Sequence, residues 1–226
     1  AVRPCTGDIF LAFKKSGVTN RVLGTVDPST GIITEIGVMG NKISGICFGS
    51  QNHLYAVSGD GGSPAETLYK VDISTGALTF FVTYGGGNDG ETIGFCPDDG
   101  YIYHWSGRDT DHRMEYTDTA TGVTTIIPPT GYLYDEVFGV TYIGNGDFLT
   151  ANLDQEFVVV NTSGFATLLT SGTAPNFYRG LGFPYISPVI NFATADVSCN
   201  GFDNGVIDAT IPGGGVSTGG VLISEV

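Results

Sequence analysis

The residues best suited to chemistry in this chain are carboxylates that recur at one place in a repeat. Lys42, Glu91, Glu136 and Phe177 each stand three residues before a glycine that opens a short apolar run, at Gly45, Gly94, Gly139 and Gly180. If those runs converge on an axis, Glu91 and Glu136 meet at one mouth of it, with Asp135 and Arg179 beside them. Paired carboxylates suit general acid–base catalysis or a cation. The plainer alternative is a rim of solvated charges. Acid-rich loops offer a second oxygen-ligand chemistry. Asp89 and Glu91 in one loop, and Asp109 and Asp111 in another, are calcium candidates, although neither loop follows the EF-hand spacing. His53, His104 and His112 do not recur at one repeat position, so a three-histidine metal centre is not expected. His104 alternates with Tyr103 and Trp105 and is expected to pack inside or sit on the surface. No other cofactor is expected, because no His-Glu-x-x-His or phosphate-cradling glycine loop occurs.

Positioning such residues falls to a repeat. Four turns read Asp27-Pro-Ser-Thr-Gly31, Asp72-Ile-Ser-Thr-Gly76, Asp118-Thr-Ala-Thr-Gly122 and Asn161-Thr-Ser-Gly164, and their first residues lie 45, 46 and 43 positions apart. A period of this size with strands and turns in each unit is the pattern of a β-propeller blade. The composition agrees, with 35 glycines in 226 residues, 41 % apolar residues and only 14 % charged ones. Glycine supplies positive φ for tight turns, and Thr, Tyr and Phe suit a pleated surface.

Each unit resolves into four strands. The innermost centre on Gly45-Ile-Cys-Phe48, Gly94-Phe-Cys-Pro97, Gly139-Val-Thr-Tyr142 and Gly180-Leu-Gly-Phe183. Second strands follow at Leu54–Gly59, Tyr101–Gly107 and Phe148–Asn152, and one more, Ile9–Phe13, precedes any inner strand. Third and fourth strands flank the Asp turns, where the carboxylate accepts from amides two or three residues on. The expected fold is therefore all-β, a small four-bladed propeller over residues 1–188. Its last inner strand pairs with the first second-strand, so that N- and C-terminal strands close the ring and protect the edges.

Leu68-Tyr-Lys-Val-Asp-Ile-Ser-Thr-Gly76, together with Gly45 through Ser58, resembles bacterial secreted propellers with repeats of the form Leu-Tyr-x-Val-Asp-x-x-Thr-Gly. The resemblance covers roughly residues 8–184 and implies the fold; propellers of this kind bind, scaffold and sometimes catalyse. Residues 189–226 break the period and are expected to form a β-rich extension or the start of a following module. Within them, Ser198-Cys-Asn-Gly-Phe-Asp-Asn-Gly205 and Val206–Ile211 are similar to repeat modules of large surface adhesins from gliding Bacteroidetes. The last segment, with Val221, Leu222, Ile223 and Val226, is strongly β-prone and follows a glycine-rich spacer. It can serve as an assembly strand adding to the sheet edge of a neighbour, or as the first strand of a further domain.

Four cysteines without C-x-x-C spacing permit two disulfides in an oxidising compartment. Ring closure would bring Cys5 to Cys199 across the seam. Cys47 and Cys96 fall at equivalent places on neighbouring inner strands, where they either bridge or remain buried thiols. A formal charge of −14 repels phosphate backbones and anionic lipids, so nucleic-acid binding is not expected. No stretch approaches the ~20 apolar residues of a membrane span. A start at Ala1 without Met is compatible with a removed leader or with a piece of a longer protein.

Together these features point to a non-catalytic extracellular or cell-surface module, adhesive or structural, acting as a filament subunit or as part of a larger surface protein. Expected partners are other copies of the chain, adjoining domains, glycans or surface proteins. A secreted propeller enzyme of glycan hydrolase or lyase type is the alternative, and it requires carboxylates converging at the channel mouth. A ligand-binding domain is a third possibility and requires a deep dry pocket.

Overall fold

The repeated Asp turn closes a hairpin in every unit. In a computed structural model, Asp27 Oδ1 accepts from the Ser29 amide at 2.8 Å and the Ser29 hydroxyl at 2.6 Å. Asp72 repeats both bonds with Ser74 at 2.8 and 2.6 Å. Asp118 holds the Ala120 amide and the Thr121 hydroxyl, both at 2.8 Å. Asn161 accepts from the Ser163 amide at 3.0 Å. The closing Gly31, Gly76, Gly122 and Gly164 have φ of +70°, +77°, +75° and +83°, where a Cβ is strained.

These bonds hold the Asp27 carboxyl at about 2, below its ordinary 3.8, chiefly through the Ser29 hydroxyl and amide and then Thr30. A folded-state pKa below the unfolded one stabilises fully above pH 3.8, and the contribution disappears as pH falls through about 2. Asp27→Asn is therefore expected to flatten the loss of stability across that window. Urea midpoints of both proteins from pH 6 down to pH 2 check this, and identical pH slopes would contradict it.

The structure describes residues 1–4, 6–85, 92–108, 112–171 and 180–182, and the strand backbones of 191–195 and 206–210. The chain divides into two compact units, Ala1–Tyr185 and Ile186–Val226. The first is a four-bladed β-propeller of antiparallel sheets. Blade 1 holds β1 (Ile9–Lys14), β2 (Arg21–Val26) and β3 (Ile33–Val38). Blade 2 runs β4 (Ile43–Phe48), β5 (Leu54–Ser58), β6 (Thr67–Val71) and β7 (Leu78–Thr83). Blade 3 runs β8 (Thr92–Cys96), β9 (Tyr101–Ser106), β10 (Arg113–Asp118) and β11 (Thr124–Ile127). Between blades 3 and 4, β12 (Thr130–Gly131) pairs in parallel with the outermost strand of blade 4. Blade 4 comprises β13 (Val137–Gly144), β14 (Asp147–Asn152), β15 (Glu156–Asn161) and β16 (Phe165–Ser171). In the second unit, β17 (Asn191–Ala195) and β18 (Val206–Thr210) form an antiparallel pair.

Period-2 alternation along the second strands feeds two interblade layers at once. Leu54 and Ala56 join Phe10, Leu23, Ile43 and Tyr69 between blades 1 and 2. Tyr55 and Val57 join Leu68, Tyr84, Ile93 and Ile102 between blades 2 and 3. Tyr103 and Trp105 point the other way, into a layer with Phe148 and Val158 of blade 4.

Two expectations about the inner strands need correction. The inner edge of β1 is taken by Ala1–Val2, whereas residues 180–182 carry no strand pairing. Ala1 exchanges backbone hydrogen bonds with Phe10, 2.8 Å in each direction, and Val2 bridges Ile9. A turn with the Arg3 amide bonded to the Asp8 carbonyl at 2.8 Å folds this segment back onto β1. Residues 180–182 lie beside it: a Cβ on Gly182 would stand 3.5 Å from Val2, and one on Gly139 would stand 3.2 Å from the Gly180 nitrogen.

The second correction is a matter of register. Lys70, two residues before Asp72, pairs with Tyr55, which pairs with Cys47. In blade 3 Tyr116, two before Asp118, pairs with Tyr103, which pairs with Gly94. Gly94, not Cys96, is thus the counterpart of Cys47. Pro97 has no N–H to give a ladder, so the hairpin ends at Cys96↔Tyr101, and the Gly100 amide closes the turn on the Cys96 carbonyl at 2.9 Å.

Candidate functional site

The inner strands β4, β8 and β13, with Ala1–Val2 and residues 180–182, surround an axis. Counted from the Asp turns, Ile46, Ile93 and Val140 fall at one level, opposite Ala56, His104 and Thr150. A ring of Ala1, Ile46, Val140 and Leu181 borders two cavities, one on either side of it. The cavity toward Ser44, Thr92 and Phe138, where the inner strands start, is about 150 Å³. The one toward the inner hairpin turns is about 490 Å³ and is walled by Val2, Phe48, Phe95 and Tyr142. No Asp, Glu, Lys, Arg or His side chain is among the described residues lining either.

The carboxylates expected at a channel mouth lie elsewhere where they are described. Asp135 and Glu136 lead into β13 and line neither cavity. The Glu136 amide donates to Asp135 Oδ1 at 2.7 Å, and the Glu136 carbonyl accepts from the Leu153 amide at 2.8 Å. Asp135 faces His112 Nε2 at 3.9 Å, in a niche with Trp105, Arg113 and Tyr134 at the junction of blades 3 and 4. The shifted register also removes the equivalence of Glu91 and Glu136, since Thr92 opposite Trp105 takes the level of Gly45 opposite Val57. Glu91 itself lies outside the described residues, as do Arg179, the calcium candidates Asp89, Asp109 and Asp111, and the assembly strand with Val221, Leu222, Ile223 and Val226. Among the described residues, no three His, Cys, Asp or Glu side chains gather as a metal site would require.

Cys5 and Cys199 also fall outside the described residues. Cys47 and Cys96 are buried free thiols, not a disulfide. Two register positions separate them, and they pack in different layers, Cys47 with Tyr55 and Ile93, Cys96 with Tyr103 and Phe148. Burial pushes the Cys47 thiol up to about 12 and the Cys96 thiol up to about 11. The thiolate is the nucleophile, so both are expected to resist iodoacetamide at pH 8 in the native protein and to react in 6 M guanidinium. Peptide mass mapping reads the result; rapid native alkylation at either position would contradict it.

A polar cluster that the sequence left unmarked lies between blades 2 and 3. His104 on β9 and Glu115 on β10 are 0 % and 2 % exposed, and their Nδ1 and Oε1 atoms are 3.0 Å apart. The Tyr84 ring stacks on the imidazole with centroids 4.1 Å apart, and its hydroxyl accepts from Thr117 at 3.1 Å. Arg113 Nε lies 3.5 Å from the second Glu115 oxygen. None of these five side chains lines the axial cavities; the pair links β9 to β10 within blade 3, and Tyr84 of blade 2 stacks on it, away from the axis. The signal that finds it is register: pairing Tyr101 with Asp118 puts Glu115 opposite His104.

No family model and no curated protein sequence matches this chain. Solved structures share its fold. A structure described as a nidogen/laminin complex superposes with a TM-score of 0.55 at 10 % identity, over 76 % of this chain and 64 % of that one. TolB from Acinetobacter baumannii superposes with a TM-score of 0.51 at 15 % identity, over 73 % of this chain and 41 % of its own. The matches thus span less than two thirds of either neighbour. Both neighbours are of the propeller type, and at these identities the likeness is one of fold alone.

Proposed function

We propose that this chain is a non-catalytic extracellular module that binds protein partners and assembles, with copies of itself or with a larger surface protein, through strand edges. The observation that carries this reading is the character of the outermost strands. β3, β7 and β11 end their sheets, and on them Ile33, Phe80 and Ile126 are 46 %, 62 % and 57 % exposed. A sheet edge offers unpaired N–H and C=O groups, and apolar side chains beside it supply the pockets that an added strand needs. Blade 4 differs, since β12 already covers the outer edge of β16. The segment Val221–Val226 is the intended donor, by its β-propensity and its glycine-rich leash. The charge of −14 keeps unassembled copies apart in solution and favours a salty extracellular setting. Protein-binding roles are common among propellers, and a neighbour described as a nidogen/laminin complex fits that class.

Size-exclusion chromatography with light scattering, beside negative-stain imaging, tests the reading on the whole chain and on a version ending at Pro212. Large assemblies that disappear on truncation, and that Phe80→Lys or Ile126→Lys also weakens, are the expected result. A monomer in every sample would overturn it. Hydrolysis of a glycan panel by the whole chain, abolished by Glu136→Gln, would replace it with the enzyme reading.

A further inference from the structure

The geometry points to the turn-side chamber of the axis as a binding site for one neutral, largely apolar small molecule. At about 490 Å³ it falls within the ~300–1,000 Å³ range of ligand pockets, whereas the 150 Å³ cavity behind it does not. Its walls come from every blade: Val2 from the first, Phe48 from the second, Phe95 from the third, Val140 and Tyr142 from the fourth. Those walls are fixed before any ligand arrives. Phe48 is held edge-on against Phe10 at 5.4 Å, and the Tyr142 ring packs against Phe148 at 5.5 Å. A preformed apolar site binds without paying to order its own side chains.

Ligand charge is excluded by the same walls. A carboxylate or ammonium group entering this chamber would lose its hydration and meet no ionised side chain among the described lining residues. The Ala1 amino group, whose pKa burial pushes down to about 6, is already bonded to the Phe10 carbonyl at 2.8 Å. The Cys47 thiol in the wall stays neutral, because burial pushes its pKa up to about 12. Polar groups gather at the rim instead, on the turn Ser50–Asn52. With its amide oriented to satisfy its neighbours, Asn52 presents its oxygen to Arg3 Nε and Nη2 at 3.0 and 3.1 Å. Ser50 shares a hydrogen bond with Thr119 at 3.2 Å. A ligand with an apolar body and one hydrogen-bonding end would seat the body between the rings and leave that end at the turn. This site is separate from the strand edges, so either proposal can fail without the other.

Titration of the whole chain with N-phenyl-1-naphthylamine, a neutral fluorescent probe, tests the site. One saturable site is expected, with a dissociation constant on the order of 10–100 µM for a ligand of this size. Native mass spectrometry should show a single bound probe. Ile46→Trp and Leu181→Trp fill the chamber from different walls, and each is expected to weaken binding at least tenfold. Leu133→Ser, at an exposed position that lines neither cavity, should leave binding unchanged. In the unaltered protein, intermolecular NOEs from the probe to the methyls of Ile46, Val140 and Leu181 locate the site whether or not the filled variants fold. Non-saturating or multiple binding, the absence of those NOEs, or loss of binding in Leu133→Ser would overturn the proposal.

Discussion

Phe148→Ala is expected to cost the propeller about 3–5 kcal/mol, the range for truncating a buried phenylalanine. Phe148 is 0 % exposed, and its ring meets Tyr103 and Trp105 of blade 3 at 5.1 Å each. It also fills the gap that Gly94 leaves, because a Cβ on that glycine would stand 3.1 Å from the Phe148 ring. Blades 3 and 4 therefore approach through one large side chain set against one missing one. The neighbours that define the void are aromatic rings held from several sides, so the site has little freedom to collapse and the cavity term is large. Phe148→Leu keeps most of the volume and is expected to lose clearly less. Urea unfolding monitored by Trp105 fluorescence gives both values. A loss below about 1 kcal/mol for the alanine variant would mean that the layer repacks and does not hold the blades.

What the sequence makes legible here is whatever repeats with its own local cause. The Asp turns are such a signal, since an Asx side chain and a positive-φ glycine four residues along (three after Asn161) determine a hairpin without help from the rest of the chain. That is why blade number, strand order and the outward drift from axis to rim can be read before any coordinates. Register is different, because it depends on where a hairpin closes. Gly45-Ile-Cys-Phe48 and Gly94-Phe-Cys-Pro97 align by identity, yet Pro97 belongs to a turn and Phe95 pairs with Ile102 at the level where Phe48 pairs with Leu54. A shift of two residues keeps every side chain on its face, so hydrophobic alternation cannot detect it.

The same shift decides the site. It separates Cys47 from Cys96 and removes the symmetry that put Glu91 level with Glu136. Asp135 and His112 are brought together through the junction of two blades, a contact no local pattern announces. Ala1–Val2 was unreadable as a strand for another reason: two residues are too few to show a period, and the pairing with Ile9 and Phe10 becomes visible only as hydrogen bonds. The axial chamber, likewise, is a property of what five segments leave unfilled, and composition records filled volume alone.

The His104–Glu115 pair sets up the second large effect. Glu115→Ala is expected to cost about 1–3 kcal/mol, the range for removing one partner of a buried hydrogen bond. The imidazole, stacked under Tyr84 and 0 % exposed, would keep its burial and lose the carboxylate at its Nδ1. Removing both partners is a different perturbation. His104→Phe combined with Glu115→Leu replaces the pair by apolar groups of similar bulk, preserves a ring to stack on Tyr84, and leaves no orphaned polar atom from the pair. Arg113, with its side chain 25 % exposed, can turn its guanidinium toward water once the carboxylate is gone. The double variant is therefore expected to recover most of what the single one loses, giving a coupling energy opposite in sign to the single-site cost. Chemical denaturation of the four proteins in that cycle measures it. If the double variant is as unstable as Glu115→Ala, blade 3 depends on the polar contact between β9 and β10 itself, and apolar contact with Tyr84 does not replace it.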